Sequence, residues 1–303
     1  MDAMLSWGLD IVRSVQVIAS PVMTALMKAV STLGTEWFYM AALSLVYWCV
    51  DRRRGARIAV VFLFSNFLNL WAKTIFAQPR PYQLDPKVGM AEEVTYGLPS
   101  NHAQGATVFW GTAARLFRKP WGLVLAIILP LIIGFSRVYL GVHFPTDVFA
   151  GWLLGAAIVA VDAFLGDRIS AFIGSLDLRI KALAVAVIAF VMNALYPSDM
   201  SISALFLGSL LGFLLAEKEA DFSVEGALGQ RILRWLVGMA GALAIYLGLK
   251  LLFPGPGSDL YVLLRFVRYA LVGAWFGFGA PWAFLRLKLA RPAGGAAGAV
   301  KAG

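Results

Sequence analysis

Long apolar blocks dominate this sequence and leave few folds open to it. Residues 151–164 and 232–253 are apolar around the whole helical circumference and carry only isolated charges. A helix on the surface of a soluble domain shows one apolar stripe instead, so these blocks face lipid or a bundle interior. Glycine recurs inside them, as close packing of membrane helices allows. Hydrophobic residues make up 60% of the 303 positions and charged residues 14%, against the about 25% charged typical of soluble domains. A soluble enzyme is excluded, and the expected fold class is an all-α, polytopic helical membrane bundle.

The apolar blocks predict spans at 35–50, 56–78, 102–117, 121–141 and 145–165. A second set is predicted at 181–196, 202–216, 232–253 and 262–285. Residues 1–34, with Asp10, Arg13, Pro21 and Lys28, read as an interfacial amphipathic segment and not as a cleaved leader. Four regions follow: this segment, a core over 35–165, further membrane helices over 166–290, and a disordered Gly/Ala-rich tail over 291–303.

The net charge of +9 does not point to nucleic acid, because the basic residues sit at the ends of apolar blocks. Most of the 26 Lys and Arg fall in the turns near 52–57, 115–119, 168–181, 218–234 and 286–301. By the positive-inside rule those turns are cytoplasmic, and the 80–100 loop and the 142–145 turn share the opposite, outer face. Compact basic turns lean towards a bacterial inner membrane with that face in the periplasm. The single cysteine, Cys49, allows no intrachain disulfide.

The chain has two histidines, His102 and His143, each opening a span on the outer side. Lys73, Arg80 and Arg137 lie close to the outer ends of neighbouring spans. Ionisable groups at membrane depth are costly and are functional candidates by default. Three cations around two imidazoles call for an anion with several oxygens, and phosphate fits guanidinium forks and an ammonium. Ser100 and His102 lead into a helix whose free N–H groups also favour an anion. Asp147, four residues after His143, can fix one ring nitrogen and leave the other as a nucleophile. His102, from a different helix, can protonate a leaving alkoxide. These residues offer no convincing metal-ligand set, and no cofactor is called for. Ser136 reads equally as a phosphate contact or a helix-packing hydroxyl. Asn66 and Asn69 read as interhelical hydrogen-bonding residues, and Arg265 and Arg268 as snorkelling cations near the outer end of the last span.

The runs KTIFAQPRP (73–81), PSNH (99–102) and SRVYLGVHFPTD (136–147) together resemble the three-part signature of the type 2 phosphatidic acid phosphatase superfamily. The resemblance covers roughly residues 35–165. It implies a membrane lipid phosphatase acting through a phosphohistidine on His143, with Asp147 as its partner and His102 as the acid. Lys73, Arg80, Ser100, Asn101 and Arg137 would hold the phosphate. Asn101 stands where the family pattern usually has glycine; asparagine is the next most tolerant of left-handed geometry, which keeps its N–H as a donor. The implied partners are a lipid phosphate, monoester or pyrophosphate, and the surrounding membrane lipids. A phosphotransferase using the same intermediate stays open, as does a non-catalytic lipid-binding or transport protein. The oligomeric state is not readable.

Overall fold

The computed structural model describes residues 3–293, and helices account for the architecture. In order they are α1 (Ala3–Val15), α2 (Pro21–Thr32), α3 (Glu36–Leu45), α4 (Arg52–Phe76), the short α5 (Pro81–Leu84) and α6 (Asn101–Phe117). Then come α7 (Pro120–Tyr139), α8 (Pro145–Ser175), α9 (Leu178–Leu195), α10 (Ser201–Glu219), α11 (Leu228–Leu252), α12 (Tyr261–Ala274) and α13 (Ala280–Arg286). All nine expected spans are helical. Among the described residues, however, seven helices are long and apolar enough to cross a membrane. The two that fall short are α3 with its π-helical extension Val46–Val50, and α6, which has 17 residues. At 1.5 Å per residue α6 is about 25 Å long. Its polar first turn carries Asn101, His102 and Gln104, which lowers its hydropathy.

The chain divides into two compact units. The first comprises Met1–Met40 and Phe64–Ile169, the second Ala41–Leu63 and the described residues from Ser170 onward.

In the first unit, α1 buries Leu9 and Val12 against Val88, Phe144 and Val148. Ser20 caps α2 by accepting from the Met23 N–H at 3.2 Å, and Pro21 takes the first helical position, where its missing N–H costs nothing. Gln16, between α1 and α2, donates to the carbonyls of Val88 and Tyr139, both at 2.8 Å. The turn from α7 into α8 depends on Gly141. Its φ is +70°, and an added Cβ would lie 1.9 Å from the Val88 carbonyl oxygen. Arg115 pairs with Asp162 at 2.5 Å, so this carboxylate is neutralised within α8 and the helix continues to Ser175, ten residues beyond the expected end.

In the second unit, α10 packs on α12 with backbones in near contact. A Cβ on Gly208 would lie 2.0 Å from the Ala270 carbonyl oxygen. The π-helical segment Trp275–Gly279 exposes carbonyls that accept from Tyr47 Oη (Gly277, 2.9 Å) and Trp48 Nε1 (Phe276, 3.1 Å). Arg234, fully buried, donates to the carbonyls of Trp48, Ser223, Val224 and Glu225 at 2.8–3.2 Å. The expected tail begins in order: Ser223 N–H donates to Arg291 O at 2.8 Å and Ala293 N–H to Asp221 O at 2.9 Å. Residues 294–303 lie outside the described residues.

Candidate active site

The three sequence runs converge inside the first unit. Lys73 and Arg80 come from the end of α4 and the turn into α5, Ser100 to His102 from the start of α6, and Arg137 from the last turn of α7. His143 lies in the α7–α8 turn, and Asp147 one helical turn later in α8. Lys73, Arg80, Ser100, Arg137, His143 and Asp147 are all buried.

Asp147 is held by three donors. Its Oδ2 faces His143 Nδ1 at 3.2 Å and accepts from the Phe144 N–H at 2.9 Å, while Oδ1 accepts from Gln78 Nε2 at 2.6 Å. The other imidazole nitrogen, Nε2, lies 3.2 Å from Arg80 Nη1. A guanidinium only donates, so Nε2 is the acceptor and the ring proton sits on Nδ1, directed at Asp147. Burial, followed by the nearby Arg80, Lys73 and Arg137 charges, holds His143 well below the ordinary imidazole range. The ring is therefore uncharged at neutral pH, with its Nε2 lone pair directed at the cations.

Each of the cations is held in part by the 93–97 loop. Arg80 donates to Thr95 O (2.6 Å), Thr95 Oγ1 (3.1 Å), Tyr96 O (3.1 Å) and Val142 O (2.8 Å). Lys73 donates to Tyr96 O and, at 3.1 Å, to Gly97 O. Arg137 pairs with Glu93 and donates to Ser31 Oγ at 2.5 Å. Two buried groups among these have no partner, Arg137 Nε and Ser100 Oγ. Such groups cost free energy when left unpaired, so both are ready donors to an incoming oxyanion.

His102 makes contact through its ring edge with Gly34, where an added Cβ would lie 2.6 Å from Cδ2. Asn101 is the first residue of α6 and lies outside the left-handed region, so the reason for glycine tolerance does not arise. Its amide donates to Asn66 Oδ1 at 3.1 Å. Asn69 donates to Gln104 Oε1 at 2.7 Å, the interhelical role expected of this pair of asparagines. Ser136 donates to Ile133 O at 2.6 Å within its own helix. Ser100 N–H donates to Asp147 O at 2.9 Å, which ties the second run to the third.

The family description "PAP2 superfamily" matches residues 54–166, and "PAP2 superfamily phosphatase, transmembrane extension" matches residues 200–292. An undecaprenyl-diphosphatase of Sulfolobus acidocaldarius is 36% identical over 146 residues, which are 45% of this chain and 67% of that protein. The chain belongs to the PAP2 superfamily. It is accordingly a multi-pass membrane protein and a phosphoric ester hydrolase, a lipid phosphatase of that superfamily. Sphingosine-1-phosphate phosphatase 2 of Mus musculus is 30% identical over 139 residues, 43% of this chain but 39% of that longer protein. A crystal structure of a PAP2-type phosphatidylglycerolphosphate phosphatase from Bacillus subtilis matches with a TM-score of 0.48 and 25% identity, over 56% of this chain and 89% of that one.

Every candidate site residue named from sequence lies within the 54–166 match. Sequence reasoning missed Gln78, Glu93, Thr95, Ser31 and Gly34. Gln78 sits inside the first run and could have been noticed there. Ser31 and Gly34 lie in the segment read as interfacial, and nothing in their residue types points to partners 106 and 68 positions away.

Proposed function

We propose that this chain removes phosphate from a lipid phosphomonoester or diphosphate at the outer membrane face, the periplasmic face in a bacterium, through a phosphohistidine on His143. The observation that carries this reading is the His143 tautomer, with Nδ1–H on Asp147 and the Nε2 lone pair turned to the Arg80 guanidinium.

The Nε2 lone pair attacks phosphorus and the P–O bond to the lipid breaks in line. Arg80, Arg137 and Lys73 neutralise charge on the equatorial oxygens, joined by Ser100 Oγ. His102 passes its proton to the leaving lipid oxygen. In the second half, His102 takes a proton from water, the water oxygen attacks phosphorus, and the N–P bond breaks to release phosphate. Asp147 keeps the Nδ1 proton throughout and stabilises the positive ring in between. A lipid substrate is favoured because the cluster sits where spans meet the outer boundary. The named substrates of the archaeal and mouse relatives, undecaprenyl diphosphate and sphingosine 1-phosphate, are both amphiphiles with the phosphate at one end.

The test is phosphate release by purified protein from phosphatidic acid, phosphatidylglycerophosphate, sphingoid-base phosphate and polyprenyl diphosphate. The expected result is release that survives EDTA, is blocked by vanadate and vanishes in His143→Ala. An acid-labile phosphoenzyme should be trapped on rapid quenching. Folded protein that binds these lipids and never forms a phosphoenzyme would overturn the reading in favour of a binding protein.

A further inference from the structure

The pairing of Asp147 with His143 leaves one carboxylate oxygen to a residue that the reaction scheme above does not use. Oδ2 is taken by His143 Nδ1 and by the Phe144 N–H. A Cβ on Gly97 would lie 3.0 Å from that same oxygen, so bare backbone closes this side of the carboxylate. Oδ1 has one hydrogen-bond donor among the described residues, Gln78 Nε2 at 2.6 Å. Asp147 is 0% exposed, so bulk water does not stand in for that donor.

The main chain aims Gln78 at this oxygen. Helix α4 ends at Phe76, and Ala77 turns the chain with φ +45° while its N–H donates to Lys73 O at 2.9 Å. Pro79 follows and favours an extended backbone at Gln78. The Gln78 carbonyl accepts from the Gly97 N–H at 2.9 Å. A carboxylate only accepts, so the amide nitrogen is the atom turned to Asp147. An amide is also the right kind of donor. A lysine or arginine would form an ion pair and use up the negative charge that must balance the positive ring of a phosphohistidine. The neutral amide fixes the carboxylate and leaves its charge to His143.

We infer that Gln78 is the positioning residue of the nucleophile, holding Asp147 so that its Oδ2 stays on the Nδ1 proton of His143. The inference rests on the phosphohistidine reading. Gln78 acts through Asp147 and makes no side-chain bond to Lys73, Arg80 or Arg137, so its loss falls on kcat and not on KM. Without the amide, Oδ1 is a buried acceptor with no donor, and the carboxylate is free to turn about its Cβ–Cγ bond.

Two variants test this, on whichever lipid phosphate of the panel above the wild type hydrolyses fastest. Gln78→Leu keeps the bulk and removes the donor. It should lower kcat by about ten- to a hundredfold, with KM within about twofold and correspondingly slower phosphoenzyme formation on rapid quenching. Gln78→Glu can donate to Oδ1 only while its new carboxyl is protonated; once ionised, it repels Asp147. Around Asp147 the ionisable groups His143, His102, Lys73, Arg80, Arg137 and Glu93 are common to wild type and variant. The ratio of the two kcat values at each pH therefore isolates the new group. That ratio should approach one at the acid end of a series from about pH 5 to pH 8 and fall as pH rises. For Gln78→Leu the ratio should stay low and flat. Wild-type kcat in Gln78→Leu, or a flat ratio for Gln78→Glu, would overturn the role of Gln78 while a trapped wild-type phosphoenzyme left the histidine mechanism standing. Absence of a phosphoenzyme in the wild type itself would overturn both.

Discussion

Glu93 and Gly34 carry the residue-scale consequences. Glu93 sits on the loop whose Thr95, Tyr96 and Gly97 also hold Arg80 and Lys73, and its carboxylate engages the Arg137 guanidinium. A substrate phosphate must compete for the same donors. Glu93 is about one-third exposed, so the pair is worth no more than about 1 kcal/mol after solvent screening. Glu93→Gln should therefore lower KM by roughly two- to fivefold with little change in kcat. Steady-state kinetics decide it: a raised KM would mean that Glu93 orients Arg137 for substrate instead of competing with it. Gly34 acts through His102. A methyl group there would lie 2.6 Å from the ring and 2.9 Å from Ile133 Cγ2, so the imidazole must move. Gly34→Ala should cost on the order of 10²-fold in kcat on an alkyl phosphate. The loss should be much smaller on an aryl phosphate, whose leaving oxygen needs no proton. Equal losses on both substrates would assign Gly34 a purely structural role. The cations and histidines were legible in sequence because charge inside apolar blocks is conspicuous. Glu93 and Gly34 were not, since an acidic loop residue and a glycine at a helix junction are ordinary in isolation.

At the scale of elements, helix positions were legible from apolar blocks, while their ends were set by partners that hydropathy does not see. The second long helix was expected from 56, yet α4 begins at Arg52, because Asp51 accepts from the Arg54 N–H at 2.9 Å and caps the arginine run. The N-terminal segment, read as lying at the interface, also supplies Ser31 to Arg137 and Gly34 to His102 through α2 and the residues after it. The α7–α8 turn shows most clearly how an element positions chemistry. Gly141 at φ +70° lets the chain reverse against Val88, and His143 follows two residues later. Any side chain at 141 must push the Val88 carbonyl away or unwind the turn. Gly141→Ala should destabilise the protein by at least about 2 kcal/mol. Activity should fall further than stability does, measured at a temperature where the variant is still folded. Wild-type kcat in a folded Gly141→Ala protein would show that the turn tolerates another path.

For the whole molecule, the division into two units explains what each basic residue does. The positive-inside reading treats Arg52, Arg115 and Arg234 alike, as cytoplasmic orientation signals. Arg52 pairs with Asp221, Arg115 with Asp162, and Arg234 is sealed inside the second unit on four carbonyls. Counting charge gives an orientation without distinguishing a surface cation from a buried staple, because both lie at the same end of a span. Every candidate catalytic side chain, by contrast, belongs to the first unit. Stability and chemistry should therefore separate on mutation. Arg234→Met keeps the side-chain length but leaves the carbonyls of Trp48, Ser223, Val224 and Glu225 without a donor. Each unsatisfied buried group costs on the order of 1 kcal/mol or more, so several kcal/mol of stability should be lost. The apparent Tm in detergent should fall by several degrees. The kcat of the fraction that remains folded should stay within about twofold of wild type, because none of the lost bonds reaches Asp147, His143 or the cations. Activity that falls with full retention of Tm would reverse the assignment and make the second unit part of the catalytic apparatus.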